Sequence, residues 1–193
     1  MRVTSDLWVS ALLRRVQSSG GFAAVLRRGA AEAGAIFIVS RSRLGEMRLY
    51  GPAAQIAYEE LSSYTLTHGG AEFVHQHVVD AFAAQTATPT TKPIALTFAL
   101  IGLYLHVERG FSGRQVQRAH MMLARRRRDW PTLPLPDDRG SMTALDVMAV
   151  PAGAERDRAI DAWCVAVWEA YRERAPLVAR LAHENGLDAW EPR

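Results

Sequence analysis

The run IALTFALIGLYL, Ile94 to Leu105, limits more than any other feature what this chain can fold into. It contains no charged residue, begins just after Pro93 and stops before the turn Glu108-Arg109-Gly110. Crossing a bilayer takes about 20 consecutive apolar residues, so the run is too short to span one. A helix that is apolar on every side is one that neighbours cover. Proline suits the first turn, where its missing N–H costs nothing. These features predict a buried helix from Pro93 to Glu108.

The segments after Pro52 read as its neighbours. AAQIAYEELSSYTL reads as a helix that stops at HGG, and AEFVHQHVVDAFAAQ as the next. Ser112 is placed to cap a helix through Arg128. Glu155 to Arg174 carries an apolar stripe of Ile160, Trp163, Cys164, Val167, Trp168 and Tyr171 at three-four spacing. Pro176 opens a last helix and Gly186 is a plausible stop for it. After Arg128, DWPTLPLPDDRG is too proline-rich for helix. MTALDVMAV follows, with Thr143 and Asp146 in a capping pattern.

Before Pro52 the segments are shorter and punctuated by glycine. SDLWVSALLRRVQSSGG predicts a helix capped by Ser5 or Asp6 and ended by Gly20-Gly21. FAAVLRR, AIFIVSR and EMRLYG read as three strands. The expected fold class is therefore α+β, mostly α. A small basic α-β-β-β unit over residues 1–52 precedes a bundle-like domain of five or six helices over 53–193, with a Pro-rich loop at 129–140.

With 193 residues, the chain can bury a core without a disulfide or metal staple. Its single cysteine, Cys164, allows no internal disulfide and no multi-cysteine zinc site. It reads as a small core residue, with a nucleophile as the alternative. The lack of a leader segment and of paired cysteines points to the cytoplasm. No membrane partner is expected. Residues 1–52 hold eight arginines against three acids, whereas residues 53–193 hold fifteen basic residues against seventeen acids. The net charge of +3 thus originates in the N-terminal quarter.

Chemistry-bearing residues gather in VHQHVVDAFAAQ. At about 100° per residue, His75 and His77 leave a helix about 200° apart and cannot share a site. His77 and Asp80 are near enough in angle to face one neighbour. A metal site between helices would draw on His75 or His77, Asp80, His106, Glu108 and His120, a donor set suited to zinc, iron or manganese. Of these, His75, Asp80, His106 and His120 are the leading ligands, with His77, Gln85, Glu108 and Arg109 as polar partners. The competing reading has Asp80 and Gln85 bridging helices while the histidines pack at polar edges. Arg125, Arg126, Arg127 and Arg128 form a candidate anion site, with Trp130 as a stacking platform. The alternative is a helix C-terminus favoured by its cations. No nucleophile elbow, phosphate loop, dinucleotide fingerprint or H-E-x-x-H pair is present.

TSDLWVSALLRR, GGFAAVLRRG, AGAIFIV and LYGPA together resemble the first half of a small bacterial family, domain of unknown function 1491, over residues 1–55. From about Tyr58 to 190, VHQHVVDAFAAQ, LYLHVERGFSG and RAIDAWCVAVW resemble a second bacterial family, domain of unknown function 5946. The positions most like that family are His75, Asp80, Gln85 and the Glu108-Arg109-Gly110 turn. Members of the second family often begin with a closely spaced cysteine pair, which this chain lacks. The two resemblances meet at LYGPAAQIAYEEL, as in a fusion. Neither implies an assigned chemistry.

Three functions follow as expectations. The first is a non-catalytic binding or interaction module, with partner unknown and self-association through the aromatic helix allowed. The second is a helical-bundle enzyme dependent on a divalent transition metal. The third is nucleic-acid binding through the arginine-rich surfaces, the less favoured partner.

Overall fold

Thr4, and neither Ser5 nor Asp6, caps the first helix, α1 (Ser5–Ser18): its Oγ1 accepts the Leu7 N–H at 3.3 Å. The computed structural model describes residues 4–25, 36, 38–41, 47–50, 52–67, 74–125 and 129–187. It divides the chain into two units, Met1–Gln55 and Ile56–Arg193.

In the first unit α1 ends where the glycine pair predicts, with Gly20 in the left-handed region at φ 81°. Two short strands follow, β1 (Ile38–Arg41) and β2 (Met47–Tyr50). They pair antiparallel, with Ile38 opposite Tyr50 and Arg41 opposite Met47. The expected α-β-β-β unit is not what forms among the described residues. Phe22–Val25, the start of the supposed first strand, has no regular structure, and Phe22 is 90% exposed. FAAV lacks the apolar–polar alternation of a half-buried strand. The rest of that segment, residues 26–28, lies outside the described residues.

From Pro52 onward the chain is helical: α2 (Pro52–Thr67), α3 (His75–Thr86), α4 (Pro93–Val107), α5 (Gly113–Ala124), α6 (Ala144–Met148), α7 (Ala154–Ala170) and α8 (Ala175–Glu184), with a 3-10 turn at Arg172–Arg174. Seven helices are described where five or six were expected; the additional one is the five-residue α6. It opens with the capping box anticipated at Thr143 and Asp146, where Asp146 Oδ2 accepts the Thr143 N–H at 2.7 Å.

The second unit is built around α4. Helices α3, α5, α7 and α8 all pack on it, and Leu96, Ala99, Leu100, Ile101, Leu103 and Leu105 are buried. Each such Leu or Ile contributes about 2 kcal/mol of transfer free energy. The whole predicted stripe of α7, from Ile160 to Tyr171, is sealed from solvent. α4 ends in the turn flagged by Glu108-Arg109-Gly110. Gly110 N–H bonds to His106 O at 3.0 Å and Phe111 N–H to Leu105 O at 2.9 Å, with Gly110 at φ 68°. These paired bonds satisfy carbonyls the helix end would leave open. α5 stops at Ala124, short of the expected Arg128; Arg125 is its cap.

The Pro-rich segment is tied down rather than loose. Leu133 is buried, and Trp130 meets Phe98 edge-on at 5.1 Å. Arg139 donates to the carbonyls of Gln85 and Ala87. At Gly140 a Cβ would stand 2.8 Å from Ala166 O, so only glycine lets the segment approach α7 this closely. Among the described residues no helix is long and apolar enough to cross a membrane.

Candidate functional site

Asp80 is the most unusual group in the bundle. Its side chain is 5% exposed. Oδ1 accepts a hydrogen bond from Gln76 Nε2 at 3.1 Å, one helical turn back on α3. Oδ2 is buried without a hydrogen-bond partner. His120 of α5 places Nε2 at 3.7 Å from that oxygen. The same nitrogen is 3.0 Å from Phe98 O. A carbonyl only accepts, so His120 carries its hydrogen on Nε2 and donates it to Phe98.

Burial governs the charge of both groups. It pushes the Asp80 carboxyl well above the ordinary 3.8, against the lowering effect of Gln76. It pulls the His120 imidazole down to about 4, against the raising effect of the Phe98 carbonyl. Burial thus favours the neutral carboxyl and the neutral imidazole over separated charges. Tyr58 of α2, stacked on Phe82 at 3.9 Å, has its hydroxyl pushed up by burial and then by Asp80.

One turn away lies a second polar layer. His77 of α3 is buried, and its ring stacks on His106 of α4 at 3.6 Å. Burial first, and then His106, lower the His77 imidazole to about 3. Both nitrogens of His106 face acceptors: Nδ1 is 3.1 Å from Phe111 O, and Nε2 is 3.2 Å from Asp161 Oδ1 on α7. Cys164 sits beside this layer, its Sγ 3.6 Å from His77 O, and burial pushes its thiol well above the usual range. That is a core thiol, the first of the two readings for Cys164, and not an activated nucleophile.

The four leading metal ligands do not converge. Asp80 meets His120, but His106 faces Asp161. His75 bonds through Nδ1 to Thr65 Oγ1 at 2.9 Å, tying α3 to α2. His75 and Asp80 leave α3 at different angles, toward α2 and α5, while His106 leaves α4 toward α7. Among the described residues no three His, Cys, Asp or Glu side chains are grouped to hold a metal ion.

Gln85 and Glu108, two of the expected polar partners, have structural occupations. Gln85 Nε2 donates to Arg139 O and Met142 O at 3.1 and 2.6 Å, and its Oε1 accepts from Trp163 Nε1 at 3.1 Å. It therefore joins α3, α7 and the Pro-rich segment. Glu108 Oε1 accepts from Trp168 Nε1 at 2.7 Å and from Arg172. The Trp168 bond, followed by Arg172, holds the Glu108 carboxyl below its ordinary value. Arg109 is half-buried in the turn after α4. Arg125 is exposed at the α5 cap, and Arg126, Arg127 and Arg128 lie outside the described residues.

Sequence reasoning missed Gly102, Asp161 and Gln76. Gly102 left a signal, a lone glycine inside a helical run, which often marks close packing. Asp161 left none, being one acid among several on an exposed helix face.

The profile of a family of unknown function, DUF5946, matches residues 42–172. The chain belongs to this family. No curated protein and no solved structure matches it. The DUF5946 match takes in both polar layers, the Pro-rich segment and the Glu108–Arg172 contact, and leaves α8 outside. It also leaves out residues 1–41, so the resemblance of residues 1–55 to domain of unknown function 1491 gains nothing from it.

Proposed function

We infer that the DUF5946 bundle is a non-catalytic scaffold for binding or interaction. One observation carries this reading. The polar side chains that sequence alone offers as a site serve as internal ties: His75 to Thr65, His77 to His106, His106 to Phe111 and Asp161, His120 to Phe98, Gln85 to three segments. Asp80, whose Oδ2 has no hydrogen-bond partner, and His120 beside it are enclosed, with side chains 5% and 14% exposed. A reactive pair needs substrate access, and a fixed fold needs its buried polar groups paired. The location proposed for this scaffold is the cytoplasm of a bacterium, with residues 1–55 as a fused unit resembling domain of unknown function 1491.

Elemental analysis of purified full-length protein, paired with thermal unfolding in chelator, tests the reading against its metal-dependent rival. The scaffold is expected to hold zinc, iron and manganese far below one equivalent and to melt at the same temperature with chelator. Near-stoichiometric metal whose removal lowers the melting temperature overturns it.

A further inference from the structure

Helix α1 has two unlike faces. Val9, Leu12, Leu13 and Val16 are half-buried and cluster in angle at about 100° per residue. Opposite them Leu7, Trp8, Ala11, Arg14, Arg15 and Ser18 are all exposed, Leu7 at 54% and Trp8 at 43%. Just past the helix Phe22 is 90% exposed and Val25 42%. Large apolar side chains left exposed beside one another, as Leu7 and Trp8 are, mark contacts with something else.

The charge says what. Arg14 follows Leu7 by seven residues and Arg15 follows Trp8 by seven, two helical turns in each case, so each apolar side chain shares a line with an arginine. Arg14 Nε donates to Ser10 O at 3.3 Å, which lays its guanidinium along the helix. The one acid of α1, Asp6, falls outside this stripe. The first 52 residues as a whole carry eight arginines against three acids, a net positive charge in sequence.

We propose, against the sequence expectation of no membrane partner, that this face of α1 docks on an anionic lipid surface. Leu7 and Trp8 enter the headgroup boundary, and Arg14 and Arg15 meet lipid phosphates. Tryptophan is suited to that boundary by its apolar body and polar N–H. The arginine fork matches phosphate oxygens while its stem covers apolar surface. Leu7 and Val25 favour a bilayer over a nucleic acid, which rewards aromatic platforms and basic grooves but offers an aliphatic side chain little. The helix lies on the surface: 14 residues extend about 21 Å, short of the roughly 30 Å hydrocarbon core. The surface lies outside the bundle, so this inference and the scaffold reading stand or fall separately.

Co-sedimentation of the full chain with vesicles of phosphatidylcholine, with and without phosphatidylglycerol, tests it. The protein is expected to follow the anionic vesicles and to leave them as salt rises. Replacing both arginines (Arg14→Ser, Arg15→Ser) is expected to lower the partition coefficient roughly twentyfold. Trp8→Ser is expected to weaken binding further, and melting of the bundle to stay unchanged in both variants. Equal binding to neutral vesicles, a double-serine variant that binds like the parent, or tighter retention on duplex DNA than on anionic vesicles overturns it.

Discussion

Gly102 of α4 stands where any side chain would run into Asp80 of α3: a Cβ built there would lie 2.7 Å from Asp80 Cγ and overlap Oδ2. It would also come within 3.0 Å of His120 Nε2. A glycine inside a helix costs about 1 kcal/mol relative to alanine. The apolar axis of the bundle carries that cost, and the space goes to a buried carboxyl.

Gly102→Ala is therefore expected to destabilise the protein by about 2 kcal/mol despite its better helix propensity. Truncating the partner as well (Asp80→Ala) is expected to remove most of the added penalty, because the overlap is gone. Urea unfolding of the two single variants and the double variant measures this coupling. Additive effects, or a stabilised Gly102→Ala protein, would contradict the packing seen here.

Asp80 also sets a pH dependence. Burial raises its carboxyl, so the folded protein keeps a proton that the unfolded chain has already released above its ordinary value of 3.8. Stability contributed by this group is whole at acid pH and falls as pH rises toward the raised folded value. Asp80→Asn has no such proton to lose. Its stability relative to the parent is expected to improve as pH rises above 3.8 toward the raised folded value, read from urea midpoints across the range. A constant difference would mean Asp80 is not held neutral.

His77 and His120 act in the opposite sense. Their folded values of about 3 and about 4 lie below the ordinary 6.5, so the unfolded chain takes up protons first as pH falls. The stability they represent is complete above pH 6.5 and is lost on acidification. By about pH 5 each ring accounts for a loss of about 2 kcal/mol. His120→Gln keeps a donor for Phe98 O without a titrating ring. It is expected to flatten the acid limb of the stability–pH curve by about one proton, and an unaltered limb would count against a neutral buried His120.

Gln85 is expected to hold the Pro-rich segment. Gln85→Leu keeps the volume but leaves Trp163 Nε1 and the carbonyls of Arg139 and Met142 without their partner. A loss of about 3 kcal/mol is expected, since buried polar groups stripped of partners cost more than the bonds were worth. Faster amide exchange confined to residues around 139–143 is the accompanying sign. Exchange that rises evenly over the whole protein would point to a general weakening instead.

At the rim, Trp168 Nε1 is the first cause of the lowered Glu108 carboxyl. Trp168→Phe keeps a smaller aromatic ring at the site and deletes the donor. The carboxyl carbon of Glu108, followed by NMR titration, is expected to shift its midpoint upward. An unmoved midpoint would assign the lowering to Arg172 instead.

Local periodicity alone determined the helices and their buried faces. The α7 stripe from Ile160 to Tyr171, the enclosure of Ile94–Leu105 around a proline start, and the capping pair Thr143–Asp146 all follow from spacing within one segment. Spacing also settled that His75 and His77 point apart, because helix geometry fixes the angle between them. Two things were not legible there. The irregular Phe22–Val25 looks apolar enough for a strand, but a strand exists only when a second one pairs with it. The polar pairings were decided by tertiary structure alone. Which ring His77 stacks on, why Asp80 needs Gly102, and why His106 meets Asp161 rather than Asp80 all depend on how α3, α4, α5 and α7 cross. A side chain's angle on its own helix is set by residues three or four apart, whereas its partner is set by the packing of helices tens of residues away.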